Sequence, residues 1–198
     1  MKKIGLYFGT FNPIHIGHII VAHHFLNFSD LEELWLVITP ESPFKKKKNL
    51  LENHHRLEMV YRATENYPKI KPCDIEFKMP VPNYTINTLT ALKEKYPSKD
   101  FSLIMGEDNL RSFHKWKNYE AILEYYSILV YPRIQTNKTL NEPLISIKQH
   151  PNIKLITAPK VEISSTFIRN CISEGKSTTP LLDKKVWEYI DQMNFYRK

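Results

Sequence analysis

The sequence has 198 residues, 42% of them hydrophobic, and a formal net charge of +7 at neutral pH. That is enough apolar material for one domain with a packed core, so folding needs no disulfide or metal staple. The positive balance favours anionic partners, yet outside Lys45 to Lys48 the lysines are scattered, which argues against the basic stripe of a nucleic-acid-binding protein. Two cysteines, Cys73 and Cys171, fall in different elements without Cys-x-x-Cys spacing, so no disulfide framework or zinc ribbon is indicated. The chain passes from Lys2-Lys3 straight into a strand pattern, and no later run approaches the roughly 18 apolar residues of a membrane span. A soluble cytoplasmic protein with no membrane partner is expected.

In chain order, Lys2 to Phe8 reads as a short apolar strand, broken by Gly9 and then by Asn12-Pro13. Gly17 to Phe28 has the length and apolar content of a helix packed on a sheet, which puts His15 and His18 at its N-terminus. Free backbone N–H groups and the positive end of the helix dipole then face the same space as the two imidazoles. Without a side chain at Gly17, a ligand can approach the backbone closely. Such a setting suits a nucleotide's phosphates, with the imidazoles stabilising charge that builds on phosphorus. Two other readings stand beside it: a metal site shared with His23 or His24, and histidines that merely cap a helix.

Further strands are indicated at Leu34 to Thr39, Lys71 to Phe77, Phe101 to Met105, Ser127 to Tyr131 and Ile153 to Thr157. Helical stretches fall at His54 to Asn66, Thr85 to Lys95 and Tyr119 to Glu124. This alternation predicts an α/β fold, a doubly wound parallel sheet with helices on both faces. Ligands of such sheets bind beyond the carboxyl ends of the strands, where Gly9 to His18 and the segment after Met105 both fall. Lys45 to Lys48, between turn formers, is either a solvated loop or a basic loop at the rim of a phosphate site. Gln135 to Asn152 is polar and weakly periodic, an irregular or partly helical connection.

Ile163-Ser164-Ser165-Thr166-Phe167-Ile168-Arg169 forms a second candidate phosphate site, since hydroxyls and N–H groups at a helix start converge with an arginine one turn later. The bland alternative is a capped helix with a solvated arginine. Pro180 to Met193 closes the pattern as an amphipathic helix with Val186, Ile190 and Met193 on one side. The whole of 1–198 is read as a single domain whose helical part, 162–198, carries this second motif.

These two motifs, together with Tyr84-Thr85-Ile86-Asn87-Thr88-Leu89 and Met105-Gly106-Glu107-Asp108-Asn109-Leu110 followed by Trp116, resemble the bacterial nicotinate-nucleotide adenylyltransferases. These belong to the nucleotidyltransferase superfamily marked by His-x-Gly-His. The resemblance spans nearly the whole chain and implies a Rossmann-like fold. It also implies transfer of AMP from ATP to nicotinate mononucleotide, with Mg2+ carried by the ATP phosphates and no metal ligand from protein side chains. By resemblance, His15, His18, Arg169 and Lys46 serve catalysis. ATP is held by Gly9, Thr10, Phe11, His15, Gly17, His18, Gly106, Asp108, Ile163, Ser164, Ser165, Thr166 and Arg169, and the nicotinate nucleotide by Thr10, Tyr84, Thr85, Trp116 and Arg133. A homo-oligomer is allowed and no nucleic-acid partner is implied. The sequence departs from the family at Phe8, where many members have glycine, at Glu107, where a small residue is common, and after Arg133, where Ile-Gln replaces Pro-Gly. Pantetheine-phosphate adenylyltransferase, a class I aminoacyl-tRNA synthetase fragment and a non-catalytic nucleotide-binding protein are the competing readings.

Overall fold

The computed structural model describes residues 1–40, 50–132, 147–158 and 161–197. Six strands are seen among them: β1 (Lys2–Gly9), β2 (Glu33–Ile38), β3 (Ile70–Cys73), β4 (Lys99–Gly106), β5 (Ser127–Tyr131) and β6 (Ile153–Leu155). They form one parallel sheet in the order β3-β2-β1-β4-β5-β6. β1 pairs with β2 from Ile4 opposite Glu33 to Gly9 opposite Ile38, and with β4 from Lys2 opposite Lys99 to Tyr7 opposite Ile104. The winding direction reverses between β1 and β4, which opens a crevice at their carboxyl ends.

Every central strand is buried on both faces, as parallel sheets require, and side-chain alternation divides the apolar residues into two cores. Tyr7, Leu34, Leu36, Ile38, Ile104 and Leu129 face one core, shared with α1 (Ile16–Phe28), α2 (Asn53–Thr64), and the later α6 (Ser165–Ser173) and α7 (Lys184–Gln192). Ile4, Leu6, Trp35, Val37, Leu103 and Val130 face the other, shared with α3 (Thr85–Lys95), α4 (Glu107–Arg111) and α5 (Tyr119–Tyr125). The doubly wound α/β sheet with helices on both faces and a small helical segment after it is thus the observed fold. No helix among the described residues is long and apolar enough to cross a membrane.

β3, β6 and α7 show how the observed elements differ from the sequence expectation. β3 ends at Cys73, and Ile75–Lys78 forms a 3-10 turn in place of the strand extended to Phe77. Ile75 and Phe77 mimic strand alternation, but Glu76 between them is 2% exposed, so this segment buries a carboxyl where an edge strand would face solvent. β3 is an edge strand, which is where the sheet tolerates Pro72. β6 ends at Leu155, two residues short of Thr157. α7 starts at Lys184, capped by Asp183 Oδ1 accepting from the Lys185 N–H at 2.8 Å, four residues after Pro180. Met193 is its C-cap and 40% exposed, while Val186 and Ile190 are buried as expected.

Candidate functional site

The chain leaves β1 by a turn that only a glycine permits. A Cβ on Gly9 would lie 2.9 Å from the tip of the Phe11 ring. Phe11 is 2% exposed, takes a left-handed φ of 45°, and sets its ring edge-on to His18 with centroids 5.1 Å apart. His15 follows as the extended N-cap of α1 (φ −145°, ψ 168°), and its backbone N–H donates to His18 Nδ1 at 3.2 Å. Because Nδ1 accepts, the neutral imidazole of His18 carries its proton on Nε2 and presents a donor there. The two imidazoles stack with centroids 3.7 Å apart and planes 25° apart. Two of the first N–H groups of α1 are not offered to a ligand as expected: that of Ile16 donates to Leu181 O at 2.9 Å and that of His18 to His15 O at 2.9 Å. A side chain at Gly17 would crowd the site, with a Cβ there falling 3.0 Å from His15 Nδ1 and 3.0 Å from Val161 Cγ1.

The second motif docks on the first. Ser164 caps α6 by accepting from the Phe167 N–H at 3.1 Å, and the Ser165 hydroxyl donates to Pro13 O at 2.9 Å. Arg169 donates through Nη1 to Asn12 O at 2.7 Å and through Nη2 to Thr166 Oγ1 at 3.2 Å. Ser165 therefore turns its hydroxyl to the β1–α1 loop, and what the helix start offers a ligand is its unsatisfied N–H groups and dipole. Between the motifs lies a cavity of about 260 Å3 that His15, Gly17, His18, Ile163, Ser164, Ser165, Thr166 and Arg169 all line. Tyr7 and Tyr131 form its floor, their hydroxyls 3.3 Å apart. Among the described residues, no carboxylate lines it. Among the described residues, the groups close enough to share an ion are Glu52, His54 and His55, outside the cavity. The alternative of His15 and His18 sharing a metal with His23 or His24 is therefore not what the structure forms.

The sequence reading missed Arg56. It is fully buried on α2, where its guanidinium donates to Thr10 O at 2.7 Å, Thr39 O at 2.8 Å, Pro40 O at 3.1 Å, Leu51 O at 2.9 Å and Asn53 Oδ1. Burial holds its pKa down to about 10, although the group still carries its charge at neutral pH. It ties the ends of β1 and β2 together at the rim of the site. The signal was present: Arg56 occupies the same i, i+3, i+4, i+7 stripe as Met59, Val60 and Ala63.

On the other face, the Thr39 N–H donates to Gly9 O at 2.9 Å, and the Thr39 hydroxyl reaches the Glu76 carboxyl. Glu76 Oε1 in turn accepts from Thr88 Oγ1 at 2.7 Å in the first turn of α3, whose N-cap is Tyr84 and first residue Thr85. Burial pushes the Glu76 carboxyl above its usual pKa, against the lowering effect of the Thr88 and Thr39 hydroxyls. Lys117 Nζ stands 4.7 Å over the Tyr84 ring, which brings the Trp116 segment beside Tyr84 and Thr85. Trp116 is half-buried and packs edge-on to Phe113, with centroids 5.4 Å apart. Gly106 ends β4 opposite Tyr131; a Cβ there would clash with Asp108 Oδ1 at 2.3 Å. Glu107, the departure from the family pattern, is buried and paired with Lys148 at 2.6 Å. Thr10, Phe11, Gly9, Gly106 and Asp108 do not line the cavity itself but surround its β1 and β4 ends. Lys46 and Arg133 lie outside the described residues.

Residues 6–171 match the model of the cytidylyltransferase-like family. A protein of Flavobacterium johnsoniae named "Probable nicotinate-nucleotide adenylyltransferase" is 62% identical over 99% of this chain and 100% of its own length. One of the same name from Christiangramia forsetii is 61% identical over 99% of both chains. Among solved structures, the Plasmodium falciparum nicotinic acid mononucleotide adenylyltransferase complexed with NaAD superposes with a TM-score of 0.81 at 24% identity, covering 99% of this chain and 98% of that one, a likeness of fold. The histidine loop, the capped α6 and the crevice between β1 and β4 are thus those of a chain that belongs to the cytidylyltransferase-like family, among relatives named as nicotinate-nucleotide adenylyltransferases.

Proposed function

We propose that this protein transfers AMP from ATP to nicotinate mononucleotide, forming deamido-NAD and pyrophosphate, and that 1–198 is one nucleotidyltransferase domain acting in the cytoplasm. The observation that carries the reading is the convergence of His15, His18 and the start of α6 on one cavity at the switch point of the sheet, with no carboxylate among its described lining residues.

The acceptor's phosphate attacks the α-phosphorus of ATP in line, the bond to the pyrophosphate oxygen breaks, and no bond to the protein forms. Such a reaction needs positioning and charge neutralisation more than a protein nucleophile. His18 Nε2–H and His15 face the phosphates and stabilise the charge that grows on the nonbridging and leaving oxygens. The N–H groups of Ser165 and Thr166 and the positive end of α6 hold the β- and γ-phosphates, with Ile163 and Ser164 shaping the wall and Arg169 adding charge. Mg2+ bound to the ATP phosphates supplies further neutralisation of the leaving pyrophosphate. Gly106 and Asp108 lie where the adenosine would extend along the end of β4. On the acceptor side, the nicotinate ring stacks on Trp116 and its carboxylate meets the N–H groups of Tyr84 and Thr85 at the start of α3. Lys46 and Arg133 are assigned to phosphate and acceptor on family resemblance.

The test is pyrophosphate release from ATP and Mg2+ with nicotinate mononucleotide, nicotinamide mononucleotide and phosphopantetheine offered separately. Release with the nicotinate nucleotide well above the others is expected. Release with phosphopantetheine alone would keep the chemistry and overturn the acceptor, and silence with all three would favour a binding protein of the same fold.

A further inference from the structure

The segment after α7 folds back across the first core and ends against the loop that carries the histidines. The chain reverses through left-handed residues at Asn194 (φ 54°) and Tyr196 (φ 63°), with the Phe195 N–H donating to Ile190 O at 3.0 Å. A left-handed conformation is sterically costly for a residue as bulky as tyrosine, and such strain persists only where surrounding contacts hold it. Those contacts are explicit. The Phe195 ring meets His55 at 4.7 Å and Tyr189 at 5.8 Å between centroids, which fixes the reversal. The Tyr196 hydroxyl then donates to Asn12 Oδ1 at 2.7 Å across 184 residues of sequence.

Asn12 is 1% exposed and joins three separate segments to one point of the β1–α1 loop. Its Oδ1 accepts from Tyr196 and from the Leu51 N–H at 3.3 Å, while its carbonyl accepts from Arg169 Nη1. Three residues later the loop delivers His15, whose N–H in turn orients His18. A shift of Asn12 is therefore transmitted to both imidazoles and to Arg169. Burial raises the Tyr196 pKa above the ordinary tyrosine range even with Arg169 and Arg56 nearby, so the hydroxyl keeps the proton it donates.

We propose that Tyr196 is a positioning residue for adenylyl transfer, its hydroxyl fixing Asn12 and with it the loop that aims His15 and His18. The effect falls on kcat, because the imidazoles act on charge that exists only in the transition state, and small misplacement of such groups is costly. This rests on the proposed activity, so the experiment has one arm that needs turnover and one that does not.

Tyr196→Phe removes the donor and keeps the ring. Its kcat is expected to fall about ten-fold with the KM for nicotinate mononucleotide and the circular dichroism spectrum unchanged. 4-Aminophenylalanine at position 196, which restores a donor at the same ring position, is expected to recover most of that loss. Wild-type kcat in Tyr196→Phe, or no recovery with the amino analogue, overturns the proposal. Should Tyr196→Phe fail to fold, the amino analogue decides alone: turnover near wild type supports the donor role, and a large loss overturns it. If the unmodified protein shows no turnover, the adenylyl-transfer reading fails by itself. The ring resonances of His15 and His18 in Tyr196→Phe then test the positioning: displaced resonances support it, unmoved ones overturn it.

Discussion

The two ends of the sheet handle charge in opposite ways. At the amino ends of the strands, charges are matched: Glu33 on β2 accepts from Lys2 on β1 at 2.9 Å, from Lys71 on β3 and from Trp35 Nε1 at 3.1 Å, and Lys3 pairs with Asp30. At the carboxyl ends, the two arginines beside the histidine loop have neutral partners. Arg56 and Arg169 bind carbonyls, an amide and a hydroxyl, burial works against the charge of Glu76, and the buried Glu107 is matched by Lys148. One end closes its own electrostatics and the other leaves a positive field for a polyphosphate to complete. Stability and binding are thereby assigned to different ends of the same strands.

Substitutions can break that division. His18→Ala is expected to lower turnover about 100- to 1,000-fold while the melting temperature stays within a few degrees, because it removes a transition-state donor from a formed site. Steady-state assay beside thermal melting checks it, and normal turnover sinks the assigned role. Arg56→Met is expected to cost about 3 kcal/mol or more in urea unfolding, since its buried acceptors lose their donors together. A near-wild-type midpoint would show that the rim does not depend on this guanidinium. Trp116→Ala is expected to raise the KM for nicotinate mononucleotide about ten-fold and leave that for ATP unchanged; equal losses would move Trp116 out of the acceptor pocket.

The smallest effects come from the carboxyls, and they carry opposite signs. Burial works against ionisation of Glu33, but Lys71, Lys2 and Trp35 outweigh it and hold the carboxyl down to about 2. Its contribution is present above the usual 4.5 and is lost as the pH falls from 4.5 towards 2. Glu76 is raised, so stability falls as the pH climbs from 4.5 through its elevated pKa. Denaturation midpoints against pH should therefore flatten on the acid side in Glu33→Gln and above pH 4.5 in Glu76→Gln, with turnover unaffected in Glu33→Gln. A turnover defect in that variant would contradict the division between the two ends.

Much of this was legible in the sequence because it is local. Apolar runs such as Leu34 to Thr39 announce strands, here the one that forms at Glu33–Ile38 buried on both faces, and Ser164 with Arg169 announces a capped helix start. What was not legible depends on contacts remote in sequence. Arg56 reads as an ordinary helical arginine until Thr10, 46 residues earlier, is seen to need its donor. Nothing in Asn194 to Arg197 signals a reversal whose partner is Asn12. The 3-10 turn at Ile75–Lys78 was misread because its apolar spacing is that of a strand, and only the burial of Glu76 separates them.

The bond from the His15 N–H to His18 Nδ1 places the hydrogen of the second imidazole before any substrate arrives. Folding, and not binding, chooses the tautomer. In the proposed reaction the ring would then need neither a proton shift nor a rotation as phosphorus is attacked, and the reorganisation that water would undergo around the same charge would be absent from the barrier. Replacing His18 by Gln or Asn separates the two halves of this device, because each amide can imitate one ring nitrogen but not both at once.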